Sequence, residues 1–171
     1  MKIEKEATQI LDNHQSNQKI ERIAWQILEN NSEEKSIAIA GISSRGYELA
    51  KIIKKKLEKI SDIKVNLVEI CVNKKQPFSE EVTIDCEVKN LKNKVVIVVD
   101  DVLNSGRTML FALTPFMKFD IKRLSIAVLL NRSYRNYPVE AKYVGMSLST
   151  TLQEHIEVKF SKNGKISAYL M

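Results

Sequence analysis

The chain has 171 residues, of which 44% are hydrophobic and 28% are charged, which is typical of a folded globular protein and excludes a disordered composition. The formal net charge of +6 suits a polyanionic partner, either nucleic acid or a phosphorylated small molecule, but is also common on ordinary surfaces. The amino-terminal stretch has no apolar signal region, and no apolar run is long enough to cross a bilayer. We therefore expect one cytoplasmic domain over residues 1–171, with no membrane partner.

The first part of the chain alternates helices and strands. Apolar residues at three-and-four spacing predict a helix over residues 17–30 and a second one over about residues 46–60. Between and after them, the apolar runs at residues 36–42 and 65–72 predict buried strands. This alternation is the first indication of an α/β fold.

A polar segment interrupts this alternation. Residues 73–81 contain Pro77 and lack apolar periodicity, which predicts a mobile loop. Residues 82–88 alternate polar and apolar side chains, which predicts a returning strand. We interpret residues 73–88 together as a flexible arm.

The rest of the chain continues the α/β pattern and ends in a hairpin. The sequence predicts buried strands at residues 94–99 and 124–130, with a helix between them that is kinked or ended near Pro115. Strand, helix and strand in succession indicate parallel pairing, so we expect a central, mostly parallel sheet flanked by helices. In the tail, Asn163-Gly164 between two alternating runs predicts a type I′ turn.

Cysteine and histidine give no site. Cys71 and Cys86 have neither a CxxC spacing nor nearby histidines, so we expect two buried free thiols and no zinc or disulfide. His14 and His155 have no partner pattern, and we interpret both as ordinary surface or packing residues.

One stretch carries the chemistry. In VVIVVDDVLNSGRTM, residues 95–109, five aliphatic residues run into two carboxylates and then into a small polar loop. Ligands of parallel sheets bind outside the carboxyl ends of the strands, where we expect this loop to lie. Gly106 lets the backbone approach closely, and the hydroxyl groups of Ser105 and Thr108 add donors, so the loop can wrap a phosphate.

Asp100 and Asp101 need a different partner, because two carboxylates repel a phosphate. Sugar hydroxyls and Mg²⁺ are the groups that carboxylates bind in such a place, so a sugar phosphate satisfies both halves of the motif. The alternative is that both residues only cap the following helix and complement its dipole. The whole run favours the functional interpretation, and it is neither a Walker A loop nor a dinucleotide fingerprint.

The same stretch resembles the phosphoribosyl-pyrophosphate (PRPP) binding signature of type I phosphoribosyltransferases. With AGISSRG after the first predicted strand and NRSYRNYPVEAKYVG near the carboxyl end, it resembles the pyrimidine-operon attenuator and uracil phosphoribosyltransferase family over about residues 18–169. The resemblance implies the type I phosphoribosyltransferase fold with a flexible arm and a small hood. It also implies transfer of ribose 5-phosphate from PRPP to a nucleobase, with uracil as the first candidate.

The resemblance also implies roles for single residues. Asp100 and Asp101 are expected as catalytic residues that hold the ribose hydroxyls. The 5′-phosphate is expected on Asn104, Ser105, Gly106, Arg107 and Thr108, and the pyrophosphate on Ser43, Ser44, Arg45 and Gly46.

Arg45 is also expected to be catalytic, because its guanidinium group offers several hydrogen-bond donors to the diphosphate. The alternative for Ser43, Ser44 and Arg45 is a polar helix cap. Mg²⁺ is expected as the cofactor, held through PRPP, with Asp100 and Asp101 as candidate ligands.

Residues 131–171 would form the hood and the carboxyl-terminal hairpin, with Asn131 and Arg132 beside the base. The region also carries Tyr134, Arg135 and Tyr137, which suit contact with an mRNA leader as well as an ordinary solvated loop.

Two departures from the family pattern bear on function. The arm, CVNKKQPFSEE, lacks the tyrosine and arginine usual in the family, which leaves its closure open. Enzymes for 6-oxopurines usually have aspartate where this chain has Asn104, which cannot handle a proton, so a purine substrate is disfavoured.

Three interpretations stay open: a uracil phosphoribosyltransferase, an RNA-binding regulator that uses the PRPP site as a nucleotide sensor, and a phosphoribosyltransferase for a purine. The expected partners are PRPP, a nucleobase or nucleoside monophosphate, and a second copy of the chain in a homodimer or larger assembly.

Overall fold

Strands and helices alternate through most of the computed structural model, which describes residues 7–151 and 154–171. Within these residues the elements, in chain order, are β1 (Thr8–Leu11), α1 (Asn13–Asn30), β2 (Ser36–Ile42), α2 (Arg45–Ile60), β3 (Lys64–Cys71), β4 (Thr83–Ile84), a 3₁₀ turn (Val88–Leu91), β5 (Val95–Leu103), α3 (Arg107–Leu113), a second 3₁₀ turn (Thr114–Lys118), β6 (Arg123–Arg132), β7 (Tyr143–Leu148), β8 (Ile156–Phe160) and β9 (Ile166–Leu170).

The described strands form two sheets. The larger has the order β4-β3-β2-β5-β6-β7 and is parallel except for the short edge strand β4. The smaller is antiparallel, with the order β1-β9-β8. This confirms the expected α/β fold with a central, mostly parallel sheet flanked by helices.

The larger sheet is buried on both faces, which explains why its central strands are apolar without interruption. In β5, Val95, Ile97 and Val99 pack into one core together with α1, α2 and the smaller sheet. Val96 and Val98 point the other way and pack with Met109 and Phe116, from α3 and the 3₁₀ turn after it. Alternate residues of each strand therefore serve two separate cores.

The order of the strands reverses between β2 and β5. From β2 the chain crosses through α2 to β3 on one side, and from β5 it crosses through α3 to β6 on the other. The loops after β2 and β5 therefore diverge, and a crevice opens between them. Such a switch point is where open α/β sheets bind ligands.

Several expectations about elements need correction. The predicted strand over residues 82–88 is wrong for most of its length, since only Thr83 and Ile84 pair with β3 and a 3₁₀ turn follows. The first helix begins at Asn13, four residues early, because Asp12 and Gln15 form a reciprocal capping box. β1 and β7 were not predicted at all, because their apolar pattern is short and depends on partner strands distant in sequence.

The carboxyl-terminal hairpin is confirmed, but its predicted type I′ turn is wrong. Gly164 has a positive φ of 78°, whereas Asn163 does not, and a type I′ turn needs positive φ at both residues. The loop instead closes through hydrogen bonds from Gly164 N–H to Ser161 O and from Ser161 N–H to Lys165 O, both 2.9 Å.

The expectation of two buried thiols is also wrong. Both cysteines are free, but Cys71 is exposed and Cys86 is half-buried. Cys71 is the last residue of β3, where the chain leaves the sheet, so its apolar neighbours in sequence do not cover it. Within the described part of the chain, no helix has both the length and the apolar character needed to span a bilayer.

Candidate functional site

The site lies where β5 extends past β2. Pairing between these strands ends at Gly41 and Val99, whereas the pairing of β5 with β6 continues to Leu103 and Asn131. The last residues of β5 therefore have β6 on one side and an open crevice on the other.

Asp100 and Asp101 occupy this extension of β5. They lie within the strand rather than after it, because β5 ends at Leu103 and not at the predicted Val99. Asp100 is 6% exposed and Asp101 is 5% exposed, and the Asp101 N–H donates to Asp100 Oδ1 at 3.0 Å. The two carboxylates are thus held side by side in a nearly closed position. This is incompatible with a purely surface capping role.

Burial raises the pKa of Asp100 to about 8, with a further contribution from the charge of Asp101, while the ammonium group of Lys74 acts in the opposite direction. Lys74 Nζ lies 3.4 Å from Asp100 Oδ1. Because Lys74 belongs to the segment predicted as the arm, the arm already contacts the carboxylates. At neutral pH the ligand-free pair therefore retains a proton.

Asp100 is expected to make the stability of the ligand-free protein depend on pH. Its pKa is raised on folding, so its contribution is fully present below the unfolded value of 3.8 and is lost as the pH rises towards about 8. Compared with Asp100→Asn, the wild-type protein should lose about 5–10 °C of melting temperature between pH 5.5 and pH 7.5. Thermal unfolding of both proteins at the two pH values measures this. Asp120→Asn, at an exposed aspartate, is the control, and parallel curves for Asp100→Asn and wild type would contradict the assignment.

The loop after β5, residues 104–108, turns tightly at Gly106, the residue immediately before α3. Gly106 has φ of 89°, and a Cβ there would lie 2.5 Å from Val139 Cγ2, so both its backbone conformation and the space around it favour glycine. Ser105 O accepts hydrogen bonds from the N–H groups of Asn136 (3.0 Å) and Tyr137 (3.1 Å), which ties the loop to the segment after β6. The loop, with Thr108, lines one cavity together with the two carboxylates.

The loop after β2 meets the same cavity through Arg45. Arg45 Nη1 lies 3.9 Å from Asp101 Oδ2, and its Nη2 lies 3.2 Å from Glu157 Oε1. Ser44 makes no side-chain capping bond to α2, so the alternative of a polar helix cap lacks its defining contact. Of the predicted pyrophosphate residues, Arg45 lines the cavity, Ser43 and Ser44 form the turn before α2, and Gly46 is the second residue of α2; the Ser43–Ser44 peptide is cis.

Gly46 sets how closely α2 approaches β5. A Cβ at this position would lie 2.6 Å from Val99 O and 2.8 Å from Asp100 Oδ1. The glycine therefore allows the start of the helix to lie directly against the carboxylate pair, which is what brings Arg45 to Asp101.

The two residues predicted to contact the base are bound within the protein. Arg132 is 6% exposed, its Nη1 donates to Asn104 Oδ1 at 2.9 Å, and the same guanidinium group binds Thr150 Oγ1 and Thr151 O. Asn131 Nδ2 donates to Ser147 Oγ at 3.1 Å. Their roles as base-contacting residues remain predictions. Residues 152 and 153 of the predicted hood lie outside the described residues.

Sequence reasoning missed three residues that reach the site. His155 lines the cavity, although it was interpreted as an ordinary residue, and Lys74 and Glu157 pair with Asp100 and Arg45. Each comes from a segment far from residues 95–109 in sequence, so no local motif could have revealed it. The one signal available in the sequence was Lys74, a cationic residue in a polar loop that precedes the acidic pair.

Phe78, in the predicted arm, also lies near the site. The guanidinium carbon of Arg107 is 5.2 Å from the centroid of the Phe78 ring, within the range of a cation–π contact. Phe78 is nevertheless 65% exposed. The segment thus reaches both the loop at residues 104–108 and, through Lys74, Asp100.

The carboxylate pair fits a magnesium ion only in part. Two adjacent carboxylates supply the oxygen donors that Mg²⁺ prefers, but no group of three or more histidine, cysteine or acidic side chains is gathered for a metal in the described residues. Mg²⁺ commonly binds through one or two carboxylates and completes its coordination with substrate phosphates and water. Asp100 and Asp101 fit an ion of that kind, shared with a substrate.

Comparison with known sequences gives a consistent result. The family model described as "phosphoribosyl transferase domain" matches residues 6–161. A Streptococcus suis protein named "bifunctional protein PyrR" is 34% identical over 137 residues, which cover 77% of this chain and 78% of the relative. A Clostridioides difficile protein with the same name is 32% identical over 160 residues, 90% of each chain.

Solved structures agree on the fold. A hypoxanthine-guanine phosphoribosyltransferase from Bacillus anthracis, with HEPES in its active site, has a TM-score of 0.70 at 23% identity and covers 87% of this chain and 86% of its own. A Trypanosoma cruzi hypoxanthine phosphoribosyl transferase has a TM-score of 0.71 at 16% identity, with coverages of 84% and 80%. At these identities the likeness supports the fold alone.

Proposed function

The chain belongs to the phosphoribosyl transferase domain family, and we propose that it transfers ribose 5-phosphate from PRPP to uracil, releasing pyrophosphate and forming UMP. The observation that carries the proposal is the buried pair Asp100–Asp101 next to the phosphate loop in one cavity. Two carboxylates beside a phosphate cradle match a ligand with sugar hydroxyls and a phosphate group.

In the proposed complex, each part of PRPP lies against groups of matching chemistry. The 5′-phosphate lies on residues 104–108, the ribose hydroxyls donate to Asp100 and Asp101, and the diphosphate lies against Arg45. A magnesium ion shared by the carboxylates and the substrate would neutralise the charge of the leaving group. Lys74 and Arg45 are displaced from their carboxylate partners and become available to phosphate oxygens.

The reaction replaces one bond at ribose C1 with another and releases a proton. The bond between C1 and the diphosphate oxygen breaks, the bond from C1 to a ring nitrogen of the base forms, and the proton of that nitrogen passes to the departing diphosphate or to water. Positioning and charge neutralisation supply most of the rate in such a displacement, so no nucleophilic side chain is required. The contacts of Lys74 and Phe78 suit an arm that covers the site and limits hydrolysis of PRPP.

Uracil is proposed over a purine for two reasons. Asn104 replaces the aspartate usual in 6-oxopurine enzymes, and the sequence relatives are named bifunctional PyrR proteins. Purine phosphoribosyltransferase is the alternative that the names of the structural neighbours suggest.

The test is pyrophosphate release from PRPP and magnesium, with uracil, hypoxanthine, guanine, adenine and orotate offered separately. We expect release with uracil that exceeds the rate without base at least tenfold. Release with a purine alone would refute the uracil assignment, and binding of PRPP without release would refute catalysis.

A second candidate is regulation through an mRNA leader. The net charge of +6 and the word "bifunctional" in the names of the relatives favour it, with the segment after β6 as the predicted contact. Binding of a pyrimidine-operon leader that weakens steeply with salt would support this function. A cytoplasmic location and a homodimer or larger assembly stay predictions.

A further inference from the structure

The side-chain amide of Asn104 has a fixed orientation. Arg132 Nη1 lies 2.9 Å from Asn104 Oδ1, and a guanidinium group carries only donors. The oxygen of the amide must therefore face Arg132, and the Nδ2 group must point away from it. For most asparagines this choice is ambiguous, but here a donor-only neighbour decides it.

Arg132 itself has little freedom to move. It is 6% exposed, and its Nη2 donates to Thr151 O at 2.5 Å while its Nε binds Thr150 Oγ1. On the backbone side, Arg135 Nη1 binds Asn104 O and lies 3.3 Å from Leu103 O. Both the side chain and the main chain of Asn104 are thus held by arginines from the end of β6 and the segment after it.

The Nδ2 group of Asn104 is a donor without an acceptor. It has no hydrogen-bond partner within residues 7–151 and 154–171, and Asn104 is half-buried in the wall of the cavity that holds the carboxylates. Asn131, the other amide nearby, is used on both sides, since Nδ2 donates to Ser147 Oγ and Oδ1 accepts from Arg135. Asn104 therefore presents an oriented, unused donor to the ligand.

We propose that Asn104 is a specificity-determining residue whose Nδ2 group donates to the O4 oxygen of a uracil-type base, with Arg132 as the residue that positions it. The inference rests on the proposed function, because it requires the ribose on Asp100–Asp101 and the 5′-phosphate on the loop that Asn104 begins. In that arrangement Asn104 faces the edge of the base on the 5′-phosphate side. In a pyrimidine this edge runs from C6–H through C5–H to the group at C4, which is the hydrogen-bonding group on that edge.

A donor at this place separates the two common pyrimidines. Uracil has a carbonyl acceptor at C4, whereas cytosine has an amino donor there. Cytosine would set two donors against each other and leave both unpaired, which is costly in a half-buried site. Arg132 prevents the amide from rotating to offer its oxygen instead.

The test measures binding of nucleoside monophosphates, so it does not need turnover. Calorimetric titration in the presence of magnesium compares the binding of UMP with that of CMP, 4-thio-UMP and 2-thio-UMP. The proteins are wild type, Asn104→Leu, Asn104→Asp and the control Asn90→Leu, in which the replaced asparagine is exposed and lies outside the site. We expect wild type and Asn90→Leu to prefer UMP over CMP about tenfold or more.

Asn104→Leu should reduce the UMP to CMP ratio to within about threefold, and Asn104→Asp, which keeps Arg132 but offers an oxygen to the base, should invert it. 4-Thio-UMP, whose sulfur is a weak acceptor, should bind the wild-type protein more weakly than UMP, and this difference should disappear in Asn104→Leu. The ratio of UMP to 2-thio-UMP should stay the same in all four proteins. Arg132→Met, which removes the donor that holds Asn104 Oδ1, should lower the UMP to CMP ratio, because the amide can then rotate.

Three results would overturn the inference: an unchanged UMP to CMP ratio in Asn104→Leu, a change confined to 2-thio-UMP, or no binding of UMP to the wild-type protein. If the proposed function fails instead, PRPP releases no pyrophosphate with uracil, while the preference for UMP that depends on Asn104 is still measured. The two conclusions can therefore fail separately.

Discussion

Asp101→Asn is expected to lower kcat/KM for PRPP by about a hundredfold or more, because the substitution changes a buried carboxylate that pairs with Arg45 and, in the proposed complex, accepts from the ribose. Asparagine has nearly the same shape, so the fold and the phosphate loop should be retained. The amide cannot accept two hydroxyl donors in the same way, and its NH₂ group would face either the ribose or Arg45. The measurement is pyrophosphate release with the base that the wild-type protein uses.

Asp62→Asn is the matched control, since Asp62 is exposed and lies at the far end of α2 from the site. It should leave kcat/KM within about twofold of wild type, as expected for a surface change. A loss in Asp101→Asn of less than about threefold, in a protein with an unchanged melting temperature, would remove Asp101 from the catalytic set.

Gly46→Ala is expected to damage both stability and activity. The added methyl group would lie 2.6 Å from Val99 O and 3.0 Å from Asp100 Cα, which are backbone atoms and cannot move away without shifting β5. Overpacking of this kind costs about 1–3 kcal/mol, so we expect a melting temperature about 2–12 °C lower. The start of α2 would also move Arg45 away from Asp101, and a shift of about 1 Å can lower kcat/KM about a hundredfold.

Lys55→Ala is the control for this substitution, because Lys55 is an exposed residue of the same helix and alanine favours the helix. Thermal unfolding and pyrophosphate release measured on both variants separate the effects. If Gly46→Ala unfolds at the wild-type temperature with full activity, the close approach of α2 to β5 does not set the geometry of the site.

The sequence predicted the parts of the fold and site that depend on neighbouring residues. β2, β5 and β6 are long aliphatic runs, and residues 95–109 contain the whole transition from strand to loop to helix, so each could be recognised locally. β1 and β7 could not, because each is stabilised by a partner strand elsewhere in the chain. The predicted end of β5 at Val99 was wrong for a related reason. Pairing with β6 continues the strand past Asp100 and Asp101, and aspartate is uncommon within strands.

Contacts between segments account for what was missed at the site. Asn131 and Arg132 were assigned to the base from their position after β6, but a sequence does not show that Arg132 is bound by Asn104 and by residues 150–151. Asn104 was assigned to the 5′-phosphate and described as unable to handle a proton, whereas the orientation imposed by Arg132 makes its side chain a directed donor. Lys74, His155 and Glu157 are single residues without a motif, and only the folded chain brings them to Asp100 and Arg45.

The two loops at the site lead into helices that pack in different cores, one on each face of the larger sheet. The loop at residues 43–46 leads into α2, which packs in one core, while the loop at residues 104–108 leads into α3, which packs in the other. In the proposed complex, substitutions in the core under α2 would act mainly on the diphosphate end of the ligand, and substitutions in the core under α3 mainly on the 5′-phosphate end. Evolution could then adjust the two ends of the proposed site in largely separate steps.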